Sequence, residues 1–242
     1  MNAPRPAFVA RTQKSEATRQ RILDMALALF REKGFEQATM RDVARAAGMS
    51  LGAAYYYFDS KEALVLDFFE RLASAHERAV AEALAGKRDL GERLRVVCHT
   101  HLDVAAPDRK LLGALVHTLG DPESSVSVFA KQTEAIRRRS RALFEQALSV
   151  DAVPAELRGE FSLGLWIFQL SVLLYFIHDD SPGQTRTRAL VDDVIGLLAP
   201  LAPLLGSAQV EPLRAQIRSI LGRARLLPAG STGEHAHGKS AP

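Results

Sequence analysis

The stretch at residues 39–61, TMRDVARAAGMSLGAAYYYFDSK, constrains the fold of this chain more than any other. It reads as two short helices joined by a tight turn, followed by the start of a third that supports them. Thr39 can cap the first helix, and Asp42 three residues on completes a Thr-x-x-Asp capping signal. Val43, Ala44 and Ala47 give that helix a small apolar face. Gly48 ends it, because glycine takes the left-handed geometry after a helix without steric cost. Met49 plugs the turn, and Ser50 caps a second helix running to about Tyr57. Ala44 and Gly48 lie four apart, so the two helices can cross steeply over a three- or four-residue turn. In such a helix-turn-helix the second helix enters the DNA major groove and turns its N-terminal residues to base edges.

The rest of the chain reads as helix after helix. Residues 1–14 carry two prolines with Arg5, Arg11 and Lys14 and little apolar periodicity. This is a basic arm, either solvated or in contact with phosphate. Ser15 or Thr18 starts a helix whose stripe is Ile22, Leu23, Ala26, Leu27 and Phe30, closed at Lys33-Gly34. Asp59 or Ser60 caps a helix through Leu64, Phe68, Leu72, Ala75 and Ala79 to about Leu84. At about 1.5 Å per residue it is a lever of roughly 35 Å. Leu90–Ala105 is amphipathic and stops at Pro107, and a short helix covers Leu111–Leu119. Asp121-Pro122 reads as a cap followed by proline at the first helical position, opening a long helix through Phe129, Ile136, Leu143 and Leu148. Pro154 opens another to about His178, and residues 186–199 form a further one ended or kinked by Pro200 and Pro203. Residues 210–226 make a last amphipathic helix with Leu213, Ile217, Ile220 and Leu221 on one face. The Gly-, Ser-, Pro- and Ala-rich residues 227–242 read as a disordered tail.

Composition narrows the function classes. The 242 residues are 47% hydrophobic and 24% charged, as expected for a globular chain with a real core. A net charge of +3 and a pI near 9.2 permit nucleic-acid binding without requiring it. Cys98 is the single cysteine, so no intramolecular disulfide can form, and a reducing cytoplasm is the expected location. The apolar run Phe161–Ile177 is shorter than the ~20 residues of a membrane span. It contains Ser and Gln, and reads as a helix buried on two faces, not as a membrane anchor. No catalytic constellation stands out. There is no phosphate-cradling glycine loop, no His-Glu-x-x-His and no cysteine pair. His99 and His101 diverge on a helix, and His235-x-His237 alone leaves a metal's coordination incomplete. No metal, cofactor or enzymatic activity is expected. The Arg137-Arg138-Arg139-Ser140-Arg141 run reads as a solvated helix face.

The run from Ser50 to Leu64, SLGAAYYYFDSKEAL, resembles the signature of TetR-family transcriptional regulators. Thr39, Val43, Ala44 and Gly48, and upstream Ile22, Ala26, Phe30 and Gly34-Phe35, fall where that family has them. The resemblance covers roughly the first quarter of the chain. It implies that Thr39 and Arg41 bind phosphate at a helix N-terminus and that Lys61 neutralises another phosphate. It further implies that Tyr55 and Tyr56 reach phosphates or thymine methyls, and that Ser50, Leu51, Gly52 and Ala53 face the groove. The chain departs from the family pattern at Leu51, Ala53 and Ala54. With small apolar groups there, readout leans on apolar contact and DNA shape.

Beyond residue 64 the resemblance implies a helical domain that binds a small molecule and dimerises. Its expected pocket residues are Phe68, His99, Leu102, His117, Phe129, Trp166, Phe168 and Tyr175. The last two long helices resemble the dimerising pair, with Leu170, Leu173, Leu174, Ile177, Leu190, Val194 and Leu197 at the seam. The expectation is therefore an all-α chain: a DNA-binding domain at 15–62 and a ligand-binding and dimerisation domain at 63–226. Its function would be that of a homodimeric repressor released from a palindromic double-stranded operator by a small hydrophobic ligand. Two rivals remain: a helical small-molecule carrier or enzyme without an operator, and a ligand-independent DNA-binding activator. Binding to DNA upstream of its own gene separates them.

Overall fold

A computed structural model describes residues 13–150, 153–205 and 207–223. Among these the chain is all-helical: α1 Gln13–Lys33, α2 Met40–Ala46, α3 Leu51–Tyr57, α4 Lys61–Ala83, α5 Leu90–Ala105, α6 Arg109–Gly120, α7 Glu134–Ala147, α8 Arg158–His178, α9 Thr185–Leu198, α10 Ala202–Leu205 and α11 Glu211–Arg223. The basic arm, apart from Gln13 and Lys14, and the tail at 227–242 with its two histidines lie outside the described residues.

Local signals write the first four helices. Thr39 and Asp42 form a reciprocal capping box over α2. Thr39 Oγ1 accepts from the Asp42 N–H at 3.2 Å, and Asp42 Oδ2 accepts from the Thr39 N–H at 3.2 Å. Gly34 (φ +82°) and Gly48 (φ +67°) both sit in the left-handed region, where glycine alone is unstrained. Ser50 Oγ accepts from the Ala53 N–H at 3.2 Å, and Ser60, not Asp59, caps α4 by accepting from the Ala63 N–H at 3.2 Å. α1 begins before Ser15, and Thr18 lies inside it with its hydroxyl donating back to the Lys14 carbonyl at 3.0 Å.

Packing then sets the helices against one another. Ile22, Leu23, Ala26 and Phe30 of α1 close over Phe35, Val43, Ala44, Ala54 and Phe58, all buried. Phe30 and Phe35 meet edge to face at 5.2 Å. Leu64, Val65 and Phe68 of α4 enter the same core, so α4 is rooted in the three-helix unit. α1 also packs on α6. Arg19 lies 4.3 Å over the Phe58 ring and pairs with Asp67 of α4, and Arg31 pairs with Asp108 at the start of α6. The larger bundle is α4 to α9, with α7 against α8, α4 and α5, α5 against α9, and α6 against α8. Arg139 of α7 binds α4 through Glu77 (2.6 and 2.7 Å), Ser74 (2.9 Å) and Glu70. The Arg109 guanidinium donates to the carbonyls of Phe176, Ile177 and Asp179, closing the end of α8.

The long helix expected from Asp121-Pro122 does not form. Residues 121–130 fold as turns and α7 opens only at Glu134. Side-chain oxygens compete with the helix here. Asp121 accepts from the Glu123 N–H (3.0 Å) and Ser124 from the Val126 N–H (3.3 Å), while Thr133 donates to the Ser127 carbonyl (2.7 Å). Val126 is driven fully into the core, which a regular helix from Pro122 would not require.

Candidate nucleic-acid interface and internal cavity

α2 and α3 present one polar and aromatic surface. Thr39, Arg41, Ser50, Gly52, Tyr55 and Tyr56 are exposed, and Leu51 and Ala53 are half-buried. Tyr56 is 82% exposed and Tyr55 46%, unusual for tyrosines in a well-packed unit, and Tyr56 rests edge-on against Tyr57 at 5.3 Å. Around Gly52 a Cβ would meet nothing within 4 Å, so its missing side chain reflects no demand of packing. Thr39 acts as a cap. Its hydroxyl and then its backbone N–H hold the Asp42 carboxyl below the usual range, with help from Lys33 and Arg45, against a smaller push from burial. Lys61 is engaged: its Nζ donates to the carbonyls of Phe35 (2.8 Å) and Glu36 (3.3 Å) and lies 4.5 Å over the Phe35 ring. Arg45 was not singled out from the sequence. It lies four residues after Arg41 on the same face, with 77% of its side chain exposed.

A second feature lies in the bundle: a cavity of about 130 Å³ walled by α4, α5, α6, α7, α8 and the turns before α7. Phe69 and Leu72, Val104, Leu112, Leu119, Ile136, Trp166, Leu170 and Leu173 make its lining mainly apolar. Of the eight residues expected to form a pocket, Trp166 lines it. Phe68 and Leu102 are buried in the core, Phe168 is half-buried, and His117 and Tyr175 are exposed. Phe129, 60% exposed, stands edge-on to Trp166 at 6.0 Å. His99 points to α9, where its Nε2 meets Asp192 Oδ1 at 2.9 Å. His101, two residues on, lines the cavity 5.0 Å from the His76 ring, so the two α5 histidines do diverge.

The cavity's polar groups are His76, His101, Thr133, Arg137, Ser140 and Gln169. His76 Nε2 donates to the Val97 carbonyl at 2.9 Å, which assigns its tautomer. Burial pulls His76 below the ordinary histidine value, and burial together with the neighbouring His76 pulls His101 down to about 3. Both rings are therefore neutral near pH 7. The sequence reading missed these polar residues, although one signal was available. His76 continues the α4 stripe of Leu64, Phe68 and Leu72 at four-residue steps, so it is a polar group in phase with the core. Cys98 is buried next to this region, and burial pushes its thiol up to about 12, so it stays protonated. Among the described residues no group of three His, Cys, Asp or Glu side chains gathers to hold a metal.

The outer faces of α8 and α9 are apolar. Ala155–His178 is long and apolar enough to cross a membrane by length and composition, yet only 33% of its most apolar window is buried within the protomer. Trp166, Gln169, Leu170 and Leu173 face inward at helical spacing, while Ile167, Leu174 and Tyr175 lie on the outside. Ile177 is half-buried and touches the position of Gly113. On α9, Leu190, Val194 and Leu197 form one stripe, Leu197 being 68% exposed and Val194 half-buried, beside the buried Thr187, Val191 and Ile195. Leu170 and Leu173, expected at a dimer seam, thus contribute to the cavity wall.

Comparison with known proteins places these features. The sequence model of bacterial regulatory proteins of the tetR family matches residues 22–68, and that of the tetracyclin repressor-like C-terminal domain matches residues 93–213, half of the chain. The chain is 36% identical over 83 residues to the HTH-type transcriptional repressor KstR2 of Rhodococcus jostii, covering 33% of this chain and 41% of that protein, less than half its length. It is 32% identical over 134 residues to an HTH-type transcriptional repressor of Mycobacterium tuberculosis, covering 52% of this chain and 68% of that one. The fold is similar to that of the regulator FadR from Bacillus subtilis, solved in complex with stearoyl-CoA. That likeness has a TM-score of 0.59 at 21% identity and covers 74% of this chain and 97% of FadR. With a capped helix-turn-helix, a helical second domain and both family models matched in order, the chain belongs to the TetR family of bacterial regulatory proteins.

Proposed function

We propose that this protein is a homodimeric, DNA-binding transcriptional repressor whose hold on a near-palindromic operator is released by a small hydrophobic ligand. The observation that carries the reading is α3 with its flanks: a capped helix bearing two exposed tyrosines beside Arg41 and Arg45 on α2. Solvent exposure of aromatic rings with polar tips suits a half-wet interface with phosphate and base. Thr39, Arg41, Ser50, Leu51, Gly52, Ala53, Tyr55, Tyr56 and Lys61 form the proposed contact set, with Arg45 added. The Nζ of Lys61 has one N–H left after its two carbonyl bonds. A single such helix reads few base pairs, so useful specificity needs two half-sites and hence a two-fold dimer. The uncovered stripes of α8 and α9, with Leu174, Leu190 and Leu197, supply an apolar surface for that pairing. The apolar cavity beside α4, and stearoyl-CoA in the similarly folded FadR, support a hydrophobic effector.

The coupling runs through α4. Its first residues belong to the reader core and its middle lines the cavity, so a ligand that prefers one tilt of α4 changes the spacing of the two readers. Linkage requires that a ligand weakening DNA binding tenfold be bound tenfold more weakly by the DNA complex, about 1.4 kcal/mol of coupling. A gel shift on the DNA upstream of the protein's own gene, with sedimentation at micromolar concentration, tests the reading. A dimer that retards that DNA is expected. A monomer that binds tightly, or a dimer that binds no DNA specifically, would refute it.

A further inference from the structure

The polar groups of the cavity fall into two sets, and the set without partners defines a ligand. Arg137 Nη1 donates to the Val128 carbonyl (2.8 Å), Thr133 Oγ1 to that of Ser127 (2.7 Å) and His76 Nε2 to that of Val97 (2.9 Å). These groups hold the walls together. His101 Nδ1 and Gln169 Oε1 are buried and have no partner. The Gln169 side chain is only 4% exposed, so water outside the protein does not serve it. Buried polar atoms are almost always bonded, and two orphans in one cavity call for a specific reason. They belong to α5 and α8, which pack on one another and on α7.

We propose that this cavity takes a compact, uncharged, mostly apolar molecule bearing one hydroxyl, which bonds to His101 Nδ1 and Gln169 Oε1 while its body rests on Phe69, Leu72, Leu112 and Trp166. The proposal rests on reading the cavity as the effector site. A hydroxyl both donates and accepts: it donates to Gln169 Oε1, which can only accept, and accepts from the Nδ1–H tautomer of His101. A carboxylate cannot donate to Gln169, and the neutral histidines offer it no charge. Arg137 is the cation in the lining, and it is turned to the backbone at Val128 and Ala130. About 130 Å³ is the scale of an apolar cavity of ~150 Å³ that admits benzene, so a single ring fits as the body.

The test uses the full chain with p-cresol, toluene and p-toluate as probes. These share a ring and a methyl group and differ in carrying a hydroxyl, nothing or a carboxylate. Trp166 is the one tryptophan of the chain and lines the cavity, so its emission reports occupancy, and calorimetry gives affinity. The expected order is p-cresol at least about tenfold tighter than toluene, as its two neutral hydrogen bonds allow, with p-toluate weakest. Gln169→Leu should bring p-cresol down to the level of toluene and raise the melting temperature of the free protein, because an unmet polar atom is replaced by an apolar one. His101→Phe, which keeps a ring in place, should lose the same preference. Equal binding of toluene and p-cresol would overturn the proposal. So would tightest binding by p-toluate, or a preference for p-cresol that survives in both variants. Operator affinity is read in parallel. If p-cresol binds as described and DNA binding is unchanged, the ligand class stands and effector-controlled release alone falls.

Discussion

The turns of the reader and the walls of the cavity, joined by α4, treat their polar groups differently. In the reader the polar atoms that shape the turns are matched: Thr39 with Asp42, Ser50 with the Ala53 N–H, Ser60 with the Ala63 N–H, and Lys61 with two carbonyls. In the cavity some fifteen residues further along α4, about 22 Å along the helix axis, His101 Nδ1 and Gln169 Oε1 are left unmatched. The reader also fills its core with Phe30, Phe35 and Phe58, whereas the bundle leaves open space beside Trp166. A filled unit with bonded turns moves as one body, and an unfilled one has alternatives within reach. α4 spans this boundary, rooted at Leu64 and Phe68 in the reader core and bearing His76 on the cavity wall.

The largest expected effect tests the packing half of that contrast. Phe30→Ala should cost about 3–5 kcal/mol, the range for removing a buried aromatic ring. Leu72→Ala, on a wall that already borders open space, should cost about 1–2 kcal/mol, within the common range for single substitutions. Urea unfolding measures both, and equal costs would erase the distinction between the two regions.

Acid should weaken the cavity region before it touches the reader. His76 and His101 have folded pKa values below the unfolded value near 6.5, so the unfolded chain takes up protons first. Their stabilising contribution is complete above about pH 6.5 and is lost as pH falls toward about 3. The slope is up to about 1.4 kcal/mol per pH unit for each histidine. Asp179 acts in a lower window. Burial pushes its carboxyl up, but hydrogen bonds from Ser181 and Thr187 outweigh that and hold it well below the usual carboxylate range. Its contribution is therefore lost only as pH drops below about 4, near its unfolded value. Melting temperature followed from pH 7 to 4.5 should fall in the wild type and fall less in His101→Phe. A parallel decline in the two proteins would remove His101 from this account.

Lys61 and Tyr56 separate structural from interfacial roles inside the reader. Lys61→Ala leaves the Phe35 and Glu36 carbonyls without a charged donor and should cost about 1.5–3 kcal/mol as well as DNA affinity. Tyr56→Ala should change stability by no more than about 0.5 kcal/mol, since its side chain lies in solvent. It should nonetheless lower operator affinity about tenfold. A Lys61→Ala protein that melts like the wild type would return Lys61 to a purely phosphate-facing role.

The smallest effect is at Gly52. Gly52→Ala places a methyl group in open space within a helix, where alanine is favoured over glycine by up to about 1 kcal/mol. The fold should be slightly stabilised and operator binding weakened by the added methyl on the groove side. Stabilisation with unchanged DNA affinity would show that Gly52 does not approach the duplex.

Legibility followed the range of the interactions. Thr39, Gly48, Ser50 and the stripe from Ile22 to Phe30 were readable because each acts on neighbours within four residues, and the caps and positive φ values stand where that spacing put them. The turns at 121–133 were misread because Asp121-Pro122 carries a valid helix-start signal. Ser124, Ser127 and the inward pull on Val126 act against it only in context. The expected pocket set shared one residue, Trp166, with the cavity, because aromatic type does not say which way a helix is turned.

The sequence by itself therefore determined that the chain is a series of helices, and where the caps and turns of α2 to α4 fall. Those features are set by caps, glycines and the 3.6-residue period, which are local along the chain. Only the tertiary structure decided which face of α8 turns inward, how His76 and His101 come to 5.0 Å, and that Gln169 is buried without a partner. α8 is apolar nearly all the way round, so its pattern contains no phase. The phase is settled by contacts with α6 and α7, which lie outside the helix's own pattern.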